Sequence, residues 1–219
     1  MGEAEILSQL RQAVIDLDEA LSSRLAEEAV KANVDPAKAV DLGLVKGLDV
    51  IGEKFENDEV FLPELMMAAN AFQAAMKILE PEIRKRGLER AKKGAVILGT
   101  VKGDIHKIGK DIVALLLRNA GFEVHNLGED VDLFTFLNSF QKFQADAIGL
   151  SALLTSTLSG QKDVIDALAQ EGLRQSCVVM VGGGAVTPEW ATACGADFHG
   201  ENAQAAVRKL NEKLKEKKC

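Results

Sequence analysis

An aspartate and a histidine stand two residues apart in the segment GDIHKIG, residues 103 to 109. The segment follows the apolar run AVILG and precedes the helix-like stretch KDIVALLLRNAG, so it is predicted to be a loop between a strand and a helix. At this spacing Asp104 can accept a hydrogen bond from one imidazole nitrogen of His106, which frees the other nitrogen as a metal ligand or base. The alternative is that Asp104 caps the following helix and His106 is an ordinary loop residue.

Two further apolar runs end in unusual loops. The first is SALLTSTL, residues 151 to 158, in which hydroxyl side chains alternate with leucines, and the second is GGGAVTP, residues 182 to 188. Helix capping explains one or two of the hydroxyls and a turn explains one or two of the glycines, but not the whole set. Together the loops predict a narrow slot for a buried heterocycle, with a metal at one end. A lone zinc would need three or four protein ligands, and only His106 is well placed.

These loops must be positioned by the second half of the chain, from residue 93 onward. There, five β-leaning runs are each followed by a helical pattern: AVILG, FEVHNLG, ADAIGLS, CVVMVGGG and ADFHG. This alternation predicts an α/β fold with a flavodoxin-like or Rossmann-like five-stranded parallel sheet in the order 2-1-3-4-5. Because parallel strands end at one edge of the sheet, the three loops are expected to converge there.

The first half of the chain has the period of helices instead. Four amphipathic stretches between residues 3 and 88 predict an antiparallel four-helix bundle. The charged segment IRKRGLERAKKG, residues 83 to 94, is predicted to be the linker. The expected domains are therefore residues 1 to 88 and residues 93 to 219.

Composition excludes several classes of partner. The formal net charge of -7 argues against a nucleic-acid or anionic-membrane binder, which needs clustered Lys and Arg. Cys177, Cys194 and Cys219 have no metal-ligand spacing and are expected to be reduced thiols. No signal peptide and no run of 18 apolar residues is present, so a cytoplasmic location is expected.

The combination of DIHKIG, SALLTSTL and GG resembles the DxHxxG, SxL and GG signature of cobalamin-binding domains. Such domains hold the cofactor base-off, with a histidine on cobalt. The resemblance extends over nearly the whole chain, because the first half is similar to the helical cap of cobalamin-dependent methionine synthase and of corrinoid proteins in methyltransferase systems. The stretch VIGEKFENDEVFLPELMMAA is close to the cap motif of that family.

The resemblance implies a role for each matching residue. His106 would be the lower axial ligand of cobalt, Asp104 its hydrogen-bond partner, and Thr157, at a family serine position, the third member of a proton relay. Phe55 and Leu62 would cover the upper face of the corrin, although both also suit a bundle core. The remaining implied cofactor contacts lie in the loop of the histidine and around the nucleotide tail: Gly103, Ile105, Lys107, Ile108, Gly109, Ser151, Leu153, Thr155, Gly182, Gly183 and Ala203. His125 and His199 match no ligand position.

The resemblance implies a methyl carrier, since the chain has no substrate barrel and no nucleophile with an adjacent base. A substrate-specific methyltransferase would load the methyl group, and a second methyltransferase would pass it to tetrahydrofolate or to a thiol such as coenzyme M. A corrinoid reductive activator is a further implied partner. The alternatives are a cobalamin-dependent sensor, which usually carries a DNA-binding domain, the small subunit of an adenosylcobalamin mutase, and a cofactor-free flavodoxin-like scaffold.

Overall fold

The computed structural model describes residues 2 to 86 and 93 to 218. They form two compact units, Met1–Ala91 and Lys92–Cys219. The predicted domain end at residue 88 and the middle of the predicted linker, residues 87 to 92, lie outside the described residues. None of the helices in the described ranges combines the length and apolar character needed to span a bilayer.

The first unit consists of helices, as predicted. They are α1 (Glu3–Ile15), α2 (Glu19–Lys31), α3 (Pro36–Lys38), α4 (Val45–Glu56) and α5 (Leu62–Lys85). The predicted third helix is interrupted, because a π-helical turn at Ala39–Leu44 joins α3 to α4. Leu10, Leu25 and Phe72 are almost fully buried in the apolar core of this unit. Since α5 continues to Lys85, the prediction that the linker begins at residue 83 is wrong.

The second unit is a five-stranded sheet between helices. Its strands are β1 (Ala95–Thr100), β2 (Glu123–Asn126), β3 (Ala147–Ser151), β4 (Val178–Gly182) and β5 (Phe198–His199). Its helices are α6 (Ile108–Asn119), α7 (Leu133–Lys142), α8 (Leu158–Gln170), α9 (Pro188–Cys194) and α10 (Ala203–Lys218). All pairings are parallel and the strand order is β2-β1-β3-β4-β5, which confirms the predicted flavodoxin-like order.

The strands at the centre of the sheet are uniform apolar runs because helices cover both of their faces. Within β1, β3 and β4 nearly every residue is buried, whereas β2 at the edge is only partly buried. Cys177 and Cys194 pack in this core as buried free thiols, and burial raises the pKa of Cys177 to about 12. Cys219 lies outside the described residues.

Candidate cofactor site

The three loops singled out in the sequence begin side by side. In the sheet register, Thr100 at the end of β1 pairs with Ser151 at the end of β3, and Ser151 pairs with Gly182 at the end of β4. The backbone N–H of Ala152 donates to the carbonyl of Gly182 at 3.0 Å. Strand register therefore brings the loops together, as expected from parallel strands.

Asp104 is the centre of a hydrogen-bond network, although it is fully buried. Its Oδ1 accepts from the backbone N–H of His106 at 3.0 Å and lies 2.8 Å from His106 Nδ1. Its Oδ2 accepts from the backbone N–H of Leu153 and from the hydroxyl of Thr157, both at 2.8 Å. Asp104 does not cap α6, which begins at Ile108 with Lys107 as its N-cap, so the capping alternative is wrong.

These contacts define the charge of Asp104 and the tautomer of His106. Burial alone would raise the pKa of the Asp104 carboxyl, but the hydrogen bonds from His106, Leu153 and Thr157 hold this pKa well below its usual range. Asp104 is therefore a carboxylate and can only accept. In the neutral imidazole of His106 the proton must lie on Nδ1, which leaves the Nε2 lone pair available as a ligand, on a side chain that is 47% exposed.

Thr157 connects the network to the loop after β3. Its side chain is buried, and its Oγ1 lies 2.8 Å from Asp104 Oδ2 and 2.9 Å from the carbonyl of Leu154. A hydroxyl has one proton, so Thr157 can donate to one of these oxygens at a time. The buried hydroxyl of Thr100 donates to the carbonyl of His106 at 2.9 Å and holds the backbone of the same loop.

A cavity of about 370 Å³ opens at the carboxyl ends of the strands. Five of the residues predicted to contact the cofactor line it: Gly109, Ser151, Gly182, Gly183 and Ala203. Its apolar wall includes Leu98, Val113, Leu150, Met180 and Val181. A volume of this size, with apolar walls and a few polar groups, is typical of a site for a flat heterocycle and its sugar.

The two glycines at the end of β4 have different structural roles. Gly183 has φ +119°, and a Cβ there would collide with the backbone carbonyl of Ala152, so the turn requires glycine. Gly182 has an ordinary φ, and a Cβ there would have one neighbour, the carbonyl oxygen of Gly200 at 3.4 Å. Gly182 is therefore dispensable for the backbone, and its missing side chain leaves the cavity open.

The other predicted contacts do not line this cavity. Leu153 and Thr155 are exposed, and so are Ile105 and Ile108, at 73% and 69%. Gly103 has φ +83° before Asp104, and Lys107 forms an exposed ion pair with Glu129. Phe55 and Leu62 lie in the first unit and are partly buried.

Several polar residues that line the cavity were not predicted to contact the cofactor, and one of them, His199, was set aside because it matches no ligand position. They are Lys110, His199, Glu201 and Asn202. Lys110 is the clearest case, because its side chain is 2% exposed. Its Nζ lies 2.6 Å from Asp111 Oδ1 and 2.6 Å from Asn126 Oδ1. In the sequence Lys110 precedes Val113, Ala114 and Leu117 at helical spacing, so it lies on the buried face of α6. That spacing is the signal that could have identified it.

Comparison with known proteins identifies the family. A model described as B12 binding domain matches residues 94 to 208, and a second model with the same description matches residues 6 to 80. Dimethylamine corrinoid protein 1 of Methanosarcina acetivorans is 43% identical over 214 residues, which cover 98% of this chain and 100% of that protein. Trimethylamine corrinoid protein 2 of Methanosarcina mazei is 40% identical over 214 residues, 98% of each chain.

The solved structure of the methanol:cobalamin methyltransferase complex from Methanosarcina barkeri is also similar, with a TM-score of 0.83 at 28% identity. The match covers 96% of this chain and 80% of that chain. This chain belongs to the family of corrinoid proteins with B12-binding domains. The predicted family and the prediction of cobalamin as cofactor are thereby confirmed.

The residues of the site fit this cofactor. Among residues 2 to 86 and 93 to 218, no three His, Cys, Asp or Glu side chains are grouped so that they could hold a metal ion. A single oriented imidazole, on His106, suits a metal whose remaining ligands come from a macrocycle. The glycine-lined cavity beside the same loop has room for the nucleotide tail of that macrocycle.

Proposed function

We propose that the protein is a corrinoid methyl carrier that holds cobalamin base-off, with His106 Nε2 as the lower axial ligand. The observation that carries this proposal is the buried Asp104 carboxylate 2.8 Å from His106 Nδ1, which presents Nε2 as a lone pair. Cobalamin itself supplies the cobalt centre that accepts and gives up the methyl group. The cavity lined by Ser151, Gly182 and Gly183 would hold the nucleotide base of the bound cofactor.

The protein residues orient and support the ligand. Asp104 fixes the imidazole ring and increases the basicity of Nε2, because it accepts the Nδ1 proton. Thr157 stabilises the Asp104 charge through its hydroxyl and is the third member of the relay. In the first unit, Phe55 and Leu62 would cover the methyl-bearing face of the bound cofactor and would have to give a partner active site access to that face.

The methyl donor is an N-methylated amine. A substrate-specific methyltransferase in the cytoplasm takes the methyl group from this donor and passes it to the carrier. Support comes from the names of two relatives, which are dimethylamine and trimethylamine corrinoid proteins at 43% and 40% identity, whereas the methanol system matches at 28%. A second methyltransferase transfers the methyl group to tetrahydrofolate or coenzyme M. A reductive activator restores cofactor that has become oxidised.

The ligand is tested by replacing His106 with Ala. We expect the purified variant to bind cobalamin with a changed visible spectrum and to transfer methyl groups at least tenfold more slowly, since the cobalt loses its protein nitrogen. Asp104→Asn is a second variant, for which we expect smaller changes in the spectrum and the transfer rate. It keeps the imidazole of His106 and removes only the negative charge that accepts the Nδ1 proton. Identical spectra for the wild type and His106→Ala would rule out the ligand role.

The donor is tested by reconstitution. The cobalamin-loaded protein is incubated with methyltransferases for trimethylamine, dimethylamine, glycine betaine and methanol, and methylation is followed by the visible spectrum. We expect methylation with an N-methylated donor and none with methanol. Methylation by the methanol enzyme alone would contradict the proposed donor class while leaving the carrier function intact.

A further inference from the structure

The loop between β2 and α7, residues 127 to 132, packs alongside the loop that carries His106. Val101 and Val131 form a parallel bridge outside the named strands. The backbone N–H of Thr100 donates to the carbonyl of Gly128, and the N–H of Val131 donates back to the carbonyl of Thr100, both at 3.0 Å. The chain that leads from β1 into the His106 loop is therefore held from the side by the β2–α7 loop.

Asp130 makes the densest contacts between these two loops. Its Oδ1 accepts from the backbone N–H of Gly103 at 2.8 Å, and its Oδ2 lies 2.9 Å from Lys102 Nζ. Its own backbone N–H donates to the carbonyl of Asp104 at 2.9 Å. Asp130 thus contacts three consecutive residues, Lys102 to Asp104, which end two positions before His106.

The backbone at Asp130 is also unusual. Its φ is +53°, in the left-handed region that residues other than glycine seldom adopt, although Asp and Asn do so more readily than most. Such a conformation persists only where surrounding contacts stabilise it, and it occurs frequently near functional sites. The left-handed turn directs the N–H and the carboxylate of Asp130 toward the same partner loop.

We propose that Asp130 is a positioning residue for the cobalt ligand. The inference rests on the proposed function, because it assumes that His106 is that ligand. Gly103, with φ +83°, has no side chain to restrain the backbone before Asp104. Asp130 supplies the restraint from outside, by binding the N–H of Gly103 and the carbonyl of Asp104. The buried Asp104 carboxylate can then hold the imidazole of His106 in one orientation.

The backbone contact carries this effect, rather than the ion pair with Lys102. Both side chains of that pair are largely exposed, at 66% for Lys102 and 46% for Asp130, and exposed ion pairs contribute little. A hydrogen bond from a backbone N–H to a carboxylate is stronger and has a fixed geometry. Asp130→Asn keeps an acceptor oxygen for Gly103 but removes its charge, so its effect is expected to lie between those of the wild type and of Asp130→Gly.

Asp132, two residues further along, provides a matched control. It is exposed like Asp130, and its carboxylate accepts from the N–H of Thr135 at 3.0 Å and lies 2.6 Å from the Thr135 hydroxyl, as the N-cap of α7. Asp132→Gly should lower thermal stability through the loss of this cap and leave the cobalt ligand unchanged.

The test uses the full chain, labelled with ¹⁵N and loaded with unlabelled cobalamin in its paramagnetic Co(II) state. In electron paramagnetic resonance, a protein ¹⁵N ligand splits each cobalt line into a doublet, and the signal without a nitrogen ligand lacks this splitting. The measurement is made at a pH where the wild type populates both forms. We expect Asp130→Gly to lower the ratio of doublet to unsplit signal about tenfold, as for one lost hydrogen bond to a charged group.

Glycine is chosen at position 130 because it adopts positive φ without strain. A fall in the ratio of doublet to unsplit signal then reflects the missing carboxylate and not a strained backbone. A wild-type ratio in Asp130→Gly, or an equal fall in Asp132→Gly, would overturn the positioning role alone. Absence of the ¹⁵N doublet in the wild type would overturn the ligand assignment of His106 and this inference with it. If Asp130→Gly does not fold, Asp130→Ser, which is too short to reach Gly103 as Asp130 does, is measured in its place.

Discussion

The most informative single residue is Asp104, whose carboxylate is buried and yet ionised. Buried carboxylates are stable only where hydrogen bonds replace water, and here the donors come from His106, Leu153 and Thr157. Two of these donors belong to the loop after β3. The same carboxylate therefore orients the imidazole and joins two loops that are about 50 residues apart in sequence.

Asp104 should make stability depend on pH in a defined direction. Because folding lowers its pKa, the unfolded chain binds the proton more readily, and acid favours unfolding. We expect Asp104→Asn to lower the free energy of unfolding by about 2–3 kcal/mol at pH 7. The difference from the wild type should persist down to about pH 5 and shrink below about pH 4. Urea titrations of both proteins across this range measure it, and a difference that does not change with pH would contradict an ionised Asp104.

The hydrogen-bond network uses only the hydroxyl of Thr157. Thr157→Ser should therefore retain the contact with Asp104, while Thr157→Val removes it without changing the volume. We expect Thr157→Val to cost about 1–2 kcal/mol of unfolding free energy, and Thr157→Ser less than half of that. Thermal or urea unfolding compares the three proteins. Equal losses in both variants would mean that packing of the methyl group, and not the hydroxyl, stabilises this position.

At the scale of elements, the site depends on strands that end in register. Thr100, Ser151 and Gly182 lie side by side, so each following loop starts from the same edge. The cavity forms where β4 ends without a side chain at Gly182, beside apolar side chains of β1 and β3. The shape of the cavity is thus set by the sheet. Its polar side chains come from the ends of β3 and β5, from the start of α6 and from the turn before α10.

Gly182 offers a test of the cavity that leaves the fold intact. Its φ is ordinary and a Cβ meets one atom at 3.4 Å, so Gly182→Ala and Gly182→Val should fold with little change in melting temperature. Both should weaken cobalamin binding, with Val, which fills more of the cavity, weakening it by about tenfold or more. Binding is measured by titrating the apo-protein. Cobinamide, which lacks the nucleotide tail, is the control ligand, and an equal loss for both ligands would argue against a tail site here.

At the scale of the whole molecule, the two units have different roles in the proposed function. The α/β unit contains His106, the proposed ligand, and the cavity. The helical unit contains Phe55 and Leu62, which are partly buried and not fully in the core. This partial burial leaves apolar surface on both side chains. Such surface is what a cover for an apolar macrocycle face requires.

The covering role predicts a change in photochemistry. With the protein in its methylated form, Phe55→Ala should speed loss of the methyl group in light, because the separated fragments escape instead of recombining under the aromatic ring. Leu62→Ala should act in the same direction. The rate is followed from the visible spectrum under constant illumination, with Leu42→Ala as a control at an exposed apolar position in the π-helical turn. Rates equal to that of the wild type would count against the cover.

The sequence alone determined the fold class, the strand order and the pairing of Asp104 with His106. These features follow from short-range patterns: alternation of apolar runs gives the strands, and two residues of separation place a carboxylate within reach of an imidazole. The one clear error in helix limits, at residues 83 to 85, arose because charged residues in the last turn of a helix look like a linker.

Only the tertiary structure decided how the loops cooperate. The partner of Lys110 on β2, the contacts of Asp130 and the donors that Leu153 and Thr157 provide to Asp104 depend on strand register and on backbone torsions. An aspartate in a polar turn has the same local sequence whether it is solvated or bound. The helical spacing of Lys110 indicates a buried face, but not the partners of its ammonium group. The partners of these side chains lie on segments that the sheet brings together. The spacing of residues along the sequence does not indicate how close these segments are in space.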